Sequence, residues 1–273
     1  MDEQTPLTRV IAQYGSVVVG FSGGVDSALV AVTAHQTLGA ERTLAVLGVS
    51  PSLAADQATQ AYDVATRFGL RIERLDTQEF TDQRYVANSR NRCYFCKHEL
   101  WSRLVPLARA RGFTHVADGT NADDGGGHRP GLQAGRELGV RSPLVEAGYT
   151  KDLIRAEARR LGIAVWDAPS APCLSSRIQY GLQVTEDRVR QVELGERYLR
   201  ELGVRGNLRV RHRGSEACIE VMPEAFSRVR RHRSAIVGAF HTLGFDRVSL
   251  DLRGYRSGSL LRESAAAFEV LTD

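Results

Sequence analysis

The chain has 273 residues, of which 42% are apolar and 25% charged, and its formal net charge is +4. This composition is typical of a globular protein with one large or two smaller domains, and the modest charge does not by itself indicate nucleic-acid binding. No apolar stretch approaches the roughly 20 residues that cross a membrane, and the first residues do not resemble a signal peptide. We therefore expect a cytoplasmic protein without a membrane partner.

The first part of the chain alternates strand and helix patterns, which predicts a parallel sheet with crossover helices. In chain order the predicted elements are strand 16–21, helix 27–38, strand 43–49, helix 54–68, strand 71–76, a polar loop, a cysteine pair, helix 97–111 and strand 114–118. A flexible stretch around Arg129-Pro130-Gly131 follows. The next helix, 150–161, has Thr150 as its N-cap and Gly162 as its stop.

The remainder of the chain predicts a smaller α+β domain. Its elements are helix 186–202, a hairpin of strands 207–212 and 217–221, helices 223–232 and 234–243, and a last strand 247–252. Pro169 and Pro172 discourage regular structure before it. The predicted organisation is an α/β nucleotide-binding domain over 1–168, an active-site loop or linker over 169–182, and a C-terminal α+β domain for substrate binding or oligomerisation over 183–273.

The segment Ser22-Gly23-Gly24-Val25-Asp26-Ser27 lies where a predicted apolar strand passes into a helix. Glycines let backbone N–H groups surround an anion, and the helix N-terminus adds a partial positive charge. The usual phosphate loop carries a lysine before its Ser/Thr, whereas Asp26 would hold Mg²⁺ against a pyrophosphate and repel a bare phosphate. The loop therefore predicts a metal-nucleotide site, and the alternative is a tight turn that binds no ligand.

Two further segments are candidates for ligand binding. Residues Gly119 to Asp124 leave a predicted strand end, where open parallel sheets bind their ligands. Between Arg205 and Arg233 the chain has eight arginines. This basic run is either a solvated face or a site for phosphorylated ligands.

The four cysteines, in a chain without an export signal, favour metal binding or reactive thiols over disulfides. Cys93, Cys96 and Cys173 would suit an iron–sulfur cluster with one open iron. Alternatively, Cys173 acts alone as a nucleophile or sulfur donor, with Arg177 favouring its thiolate. The remaining alternative for Cys173 is an inert buried thiol. Cys218, in the middle of a predicted strand, is expected to be a small core residue.

Several motifs taken together resemble the ATP-dependent sacrificial sulfur transferase family (LarE), within the PP-loop ATP pyrophosphatase superfamily. They are residues Ser22 to Ser27, Asn91 to Lys97, Gly119 to Asp124, Arg129 to Gly131, Ser142 to Leu144 and Ala171 to Arg177. The resemblance implies an adenine nucleotide alpha hydrolase-like fold. It also implies that ATP adenylates a carboxylate of a nicotinate-derived mononucleotide (pyridinium-3,5-biscarboxylic acid mononucleotide), which becomes a thiocarboxylate in assembly of the nickel-pincer nucleotide cofactor.

The resemblance implies two routes for the sulfur. In one branch of the family the cysteine that maps onto Cys173 gives up its own sulfur and becomes dehydroalanine. In another branch three cysteines carry a [4Fe–4S] cluster, and Cys93, Cys96 and Cys173 match that pattern. Of the two, we favour the cluster, and Cys173 is the key residue in both.

The remaining site residues follow from the same hypothesis. Asp26 would hold Mg²⁺, Arg209 and Arg211 would hold the substrate phosphate, and Glu220 would contact substrate or Mg²⁺ unless it forms a cross-strand salt bridge. The residues predicted to bind ATP are Gly20, Phe21, Ser22, Gly23, Gly24, Asp26, Ser27, Ser50, Asn121, Asp124 and Arg129, with Arg129 on the α-phosphate or the substrate carboxylate.

Three other functions remain open: thiolation of tRNA by a PP-loop enzyme, amide formation as in NAD or GMP synthetases, and a nucleotide-binding sensor. The synthetase reaction has no need of Cys173, and the basic run holds few aromatic residues for stacking bases. We expect a small-molecule nucleotide as substrate, a homo-oligomer, contacts with proteins of the cofactor pathway, and no nucleic-acid partner.

Overall fold

The computed structural model describes residues 5–126, 129–169, 172–256 and 267–272. The chain divides into two compact units. Unit 1 comprises Met1–Tyr85 and Asn91–Ala171, and unit 2 comprises Val86–Arg90 and Pro172–Asp273. No sequence pattern indicated that 86–90 belongs with the C-terminal part. The domain boundaries at 168 and 182 stay a prediction.

Unit 1 is built on a four-stranded parallel sheet in the order β3-β2-β1-β4. Its strands are β1 (Val17–Gly20), β2 (Thr43–Val49), β3 (Ile72–Asp76) and β4 (His115–Ala117). β1 and β2 consist mostly of buried aliphatic residues, as expected for parallel strands covered on both faces. The predicted α/β class is confirmed.

Helices cover both faces of this sheet. On one face, α2 (Val25–Leu38) is buried along most of its length, whereas α3 (Ala55–Phe68) buries one stripe of small apolar residues. On the other face, Trp101 and Leu104 of α5 (Arg92–Ala110) pack on Val18 and Val46. The other helices are α1 (Pro6–Ala12), α4 (Gln83–Val86), α6 (Pro130–Glu137), α7 (Pro143–Glu146) and α8 (Lys151–Arg160).

Two predictions for unit 1 are wrong. The helix predicted to follow the cysteine pair begins at Arg92, so Cys93 and Cys96 lie within its first five residues. Residues 92–96 contain no glycine or proline, and the buried Arg92 anchors the start of the helix. The stretch predicted to be flexible becomes helical at Pro130, which occupies the first helical position that proline favours.

Unit 2 contains a mixed sheet in the order β5-β6-β7-β8. The β5–β6 and β7–β8 pairs are antiparallel, and β6–β7 is parallel. β8 was not predicted, because four residues are too short to show a clear alternation. The strands are β5 (Leu208–Arg213), β6 (Glu216–Val221), β7 (Arg247–Asp251) and β8 (Phe268–Leu271), and the helices are α9 (Glu186–Glu201), α10 (Phe226–Arg231) and α11 (Arg233–Thr242).

The two faces of the unit 2 sheet differ in chemistry because side chains alternate along a strand. One face carries apolar residues such as Val210, Ile219 and Leu250, which form the core with α9 and α11. The other face carries buried polar and charged residues. They are Arg209, Arg211, Cys218, Glu220, Ser249 and Asp251.

Asn88 fastens the short segment 86–90 to the rest of unit 2. It is fully buried with a positive φ of 54°, and its side-chain amide donates to the carbonyl oxygens of Gln179 and Leu182, both at 2.8 Å. No helix among the described residues combines the length and apolar character needed to span a membrane.

The buried imidazole of His212 couples folding to pH. His212 is 2% exposed, and its Nε2 lies 2.9 Å from Gln191 Oε1. Its Nδ1 has no hydrogen-bond partner within the described part of the chain. Burial, followed by the charge of Arg188, lowers the pKa of His212 from 6.5 to about 4.

We predict that the folded protein loses stability as the pH falls below the ordinary histidine pKa. Between pH 6.5 and about pH 4, His212 binds a proton in the unfolded chain but stays neutral in the folded protein. Lowering the pH from about 7.5 to about 5 should cost roughly 2 kcal/mol from this residue. Urea unfolding at both pH values measures it, and His212→Gln should remove most of the difference. An equal loss in this variant would contradict the assignment.

Candidate functional site

The candidate nucleotide site lies at the carboxyl ends of β1 and β4. The sheet order reverses between these two strands, which is where open α/β sheets bind ligands. The loops that leave the two strands approach each other closely. A Cβ placed on Gly119 would lie 2.7 Å from the backbone N of Ser27, so only glycine fits there.

The glycine loop begins α2 without a side-chain cap. Gly24 is the N-cap residue, and the first helical bond runs from Ala28 N to Gly24 O (2.9 Å). The first N–H groups of a helix have no partner within the helix and attract an anion. Gly23 has a φ of +77°, and a Cβ there would lie 2.9 Å from Ala61 Cβ. The loop therefore has the geometry of a phosphate cradle.

Side chains hold the carbonyl oxygens of this loop. Gln57 and Gln60 of α3 donate to the carbonyl oxygens of Ser22 (3.1 Å) and Gly23 (2.8 Å), and Ser27 Oγ donates to Gly24 O (3.1 Å). Because carbonyl oxygens repel an anion, bonds that occupy them favour phosphate binding at the loop. No sequence motif indicated either glutamine, although their spacing of three residues places them on one helix face.

Asp26 is paired with a lysine that is distant in sequence. Lys151 Nζ lies 2.7 and 2.8 Å from the two carboxylate oxygens of Asp26. Lys151 is the first residue of α8, and the predicted N-cap of this helix, Thr150, is confirmed. The backbone N of Lys151 donates to Asp123 Oδ2 (2.7 Å). The usual phosphate loop carries its own lysine, whereas here the lysine next to the loop comes from α8. Asp26 provides the carboxylate oxygens that Mg²⁺ prefers, so this donor fits the predicted metal.

The loop after β4 is braced by its own polar side chains. Asn121 Oδ1 accepts a bond from Asp123 N (2.9 Å), Asp124 Oδ2 accepts one from Asn121 N (3.2 Å), and Arg129 forms an ion pair with Asp124 (2.9 Å). The structure therefore brings Asn121, Asp124 and Arg129 together. Their roles toward ATP stay a prediction.

Three further residues predicted to bind ATP, Gly20, Phe21 and Ser50, have different surroundings. Gly20 faces the Trp101 ring so closely that a side chain would collide with it. Phe21 is 2% exposed within the core, and Ser50 Oγ accepts a bond from Ser52 N (3.2 Å).

Cys93 and Cys96 lie one helical turn apart at the start of α5, with Cys93 exposed and Cys96 half-buried. Gly131 of α6 packs against this turn, since a Cβ there would lie 3.4 Å from Cys93 O. Within the described ranges, no group of three or more His, Cys, Asp or Glu side chains could hold a metal ion. The predicted [4Fe–4S] cluster therefore has no support among the described residues.

In unit 2, Cys173 precedes a short 3-10 turn, Leu174–Arg177, and is a half-buried free thiol. Arg177 forms an ion pair with Glu196 of α9 (2.9 Å) and also donates to the backbone carbonyl oxygen of Cys173 (2.9 Å). The sequence predicts that Arg177 favours the Cys173 thiolate, but no sequence motif indicates its partner Glu196, which lies 19 residues further along the chain.

Arg209 and Arg211 are both buried on the polar face of the sheet. Arg211 forms an ion pair with Glu220 (2.9 Å), which is the cross-strand salt bridge considered for this carboxylate. Arg209 lies 5.3 Å from the centre of the Tyr255 ring. Burial, followed by the charge of Arg177, lowers the pKa of Arg209 to about 10. Cations that are costly to bury favour an anionic ligand nearby.

Cys218 has the surroundings of a core residue. It is fully buried, and burial raises the pKa of its thiol to about 11.

Comparison with known proteins places these features in a family. The NAD synthase family model matches residues 6–106. An uncharacterized protein of Synechocystis is 42% identical, over 94% of this chain and 96% of that protein. The pyridinium-3,5-bisthiocarboxylic acid mononucleotide synthase of Lactiplantibacillus plantarum is 33% identical, over 94% of this chain and 93% of that enzyme. An uncharacterized protein of Methanocaldococcus jannaschii is 27% identical, over 88% and 91%.

The parallel sheet, its glycine loop and these similarities define an ATP-using enzyme with a PP-loop, NAD synthase-like domain. Within this class, the chain belongs to the LarE family, that of the pyridinium-3,5-bisthiocarboxylic acid mononucleotide synthase.

The two adjacent glycines should respond differently to alanine. Among the residues that the structure describes, a Cβ at Gly24 would meet only Ser22 Oγ, at 3.6 Å, so Gly24→Ala should keep the wild-type melting temperature. Its methyl group would crowd a bound phosphate and weaken Mg-ATP binding about tenfold, or about 1.4 kcal/mol. Gly23→Ala should instead destabilise the fold by about 1–3 kcal/mol because of its positive φ. Calorimetric titration and thermal unfolding measure both, and unchanged ATP affinity in Gly24→Ala would refute the cradle.

The Lys151–Asp26 pair predicts a charge effect on nucleotide binding. In Lys151→Met the Asp26 carboxylate faces the phosphates without its cation, so ATP affinity measured without Mg²⁺ should fall about tenfold. Adding Asp26→Asn to Lys151→Met should restore part of the lost ATP affinity. The double-mutant cycle should give a coupling energy of about 0.5–3 kcal/mol between the two residues. Arg159→Met, on the exposed side of α8, is the matched control. Additive effects of the two substitutions would contradict the pairing.

Proposed function

We propose that this protein is an ATP-dependent sulfur transferase that converts a carboxylate of pyridinium-3,5-biscarboxylic acid mononucleotide into a thiocarboxylate. The Lactiplantibacillus relative is a pyridinium-3,5-bisthiocarboxylic acid mononucleotide synthase, which supports this substrate class. The observation that carries the proposal lies in unit 2. Arg211 Nη1 donates to the carbonyl oxygen of Ser176 (3.0 Å), so the turn that follows Cys173 is bonded to one of the two arginines predicted to hold the substrate phosphate.

Unit 1 supplies the activation step. A carboxylate is a poor electrophile because its leaving group would be oxide. When a carboxylate oxygen attacks the α-phosphate of ATP, pyrophosphate leaves and a mixed anhydride with AMP forms. The N–H groups at the start of α2 hold the pyrophosphate, and Lys151 offsets part of its charge. Asp26 would hold a Mg²⁺ ion, which would supply further positive charge next to the phosphates.

Unit 2 supplies the sulfur. The Cys173 thiolate attacks the activated carbonyl carbon, AMP leaves with the bonding electron pair, and a thioester joins the substrate to Cys173. Loss of the Cα proton of Cys173 then breaks its Cβ–Sγ bond. The sulfur departs with the substrate as a thiocarboxylate, and dehydroalanine remains in the chain.

The [4Fe–4S] route is the alternative source of sulfur. It requires Cys93, Cys96 and Cys173 as ligands, and we derive no step through it because no group of described residues supports the cluster. The match of residues 6–106 to the NAD synthase model favours a second function, amide formation with ammonia. That reaction would proceed without Cys173.

The test uses the purified chain with Mg-ATP and the biscarboxylic mononucleotide. We expect pyrophosphate, AMP and a thiocarboxylate, and an intact protein mass lowered by one H₂S. Cys173→Ala should abolish the thiocarboxylate. The double variant Cys93→Ser/Cys96→Ser is the matched control and should keep one turnover on the sacrificial route.

Three results would redirect the proposal. Sulfur in the product of Cys173→Ala would refute it. Iron bound after anaerobic purification, together with loss of activity in Cys93→Ser/Cys96→Ser, would establish the cluster route. An amide formed with ammonia and no thiocarboxylate would establish the synthetase reaction.

A further inference from the structure

All three nitrogens of the Arg177 guanidinium group donate hydrogen bonds within unit 2. Its Nε and Nη2 donate to the two carboxylate oxygens of Glu196, at 2.9 and 3.2 Å. Its Nη1 donates to the carbonyl oxygen of Pro172, to that of Cys173 at 2.9 Å and to Ser176 Oγ at 3.2 Å. Arg177 is 4% exposed. The planar guanidinium group thus holds the carbonyl groups on both sides of the Cys173 Cα. The Glu196 carboxylate fixes the position of the guanidinium group itself.

Glu196 connects this guanidinium group to the sheet. Its Oε1 accepts a bond from the backbone N of Val210 at 3.1 Å, in addition to the bond from Arg177. Val210 lies between Arg209 and Arg211 on β5, an edge strand of its sheet. The carboxylate therefore joins the Cys173 turn to the strand that carries both arginines.

Two further bonds tie the same parts together. Ser176 N donates to Cys173 O at 2.9 Å, and Gln179 N donates to His212 O at 3.0 Å. The first closes the turn after Cys173, and the second extends its attachment along β5. The cysteine turn and β5 therefore behave as one block within unit 2.

We propose that Arg177 and Glu196 are positioning residues for sulfur transfer. They fix the backbone at Pro172 and Cys173 and thereby set where the sulfur lies relative to the arginines of β5. This inference rests on the proposed function of Cys173. A buried ion pair adds little net stability after desolvation, so geometry is the reason to retain one here. A displacement of about 1 Å at a reacting group can cost about 100-fold in rate.

The test separates the two chemical steps in single-turnover reactions. Arg177→Lys can still pair with Glu196, but its single nitrogen cannot hold the carbonyl oxygens as well. Glu196→Gln keeps an acceptor for Val210 N but loses the charge. In both we expect pyrophosphate release within about twofold of wild type and thiocarboxylate formation slower by about 10- to 100-fold. Arg197→Lys and Glu201→Gln, an exposed pair on the same helix, are matched controls that should change neither step.

A purely structural role would lower both steps together with the melting temperature, and that result would overturn the proposal. Wild-type rates of thiocarboxylate formation in both folded variants would overturn it as well. If wild-type protein releases no pyrophosphate and forms no thiocarboxylate, the proposed function fails first, which keeps the two failures distinguishable.

A second measurement applies if neither variant folds. In wild-type protein the amide hydrogens of Ser176 and Val210 should exchange slowly with solvent, since both are bonded within the block. Exchange of either amide at the rate of an unprotected chain would show that the turn is not held, and the proposal would be wrong.

Discussion

The nucleotide site depends on a steric constraint: backbone N–H groups reach a phosphate only where no side chain stands between them. Gly23 needs a positive φ and has Ala61 against it, Gly24 begins α2 without a side-chain cap, and Gly119 lies against Ser27 N. The parallel order of the sheet brings these glycines to one crevice, since β1 and β4 are neighbours whose loops leave at the same edge.

In both units, charged side chains of the candidate site form ion pairs with residues from other parts of the sequence. Lys151 is 125 residues from Asp26, and Glu196 is 19 residues from Arg177. Such pairs contribute little net stability when buried, because desolvation offsets the attraction. Their value lies in orientation: each holds a charged group in one geometry, so that a ligand meets donors already in place.

Much of the secondary structure could be predicted because it follows from local patterns. The strand 43–49 matches β2, and Thr150 caps α8, because β-branched runs and capping side chains act within a few residues. The start of α5 could not be predicted, since a Cys-x-x-Cys pair suits a loop as well as a helix. The helix at Pro130 was missed because its glycines suggested a flexible stretch.

The candidate site divides in the same way. The sequence alone determined the glycine loop with its aspartate, the cysteine before the Ser175-Ser176-Arg177 turn, and Arg209 and Arg211 on one strand face, because each is a short motif whose chemistry depends on spacing. Only the tertiary structure decided their partners: Lys151 for Asp26, Gln57 and Gln60 for the loop carbonyls, and Glu196 for Arg177. Those partners come from other elements, and packing of those elements brings their charges together.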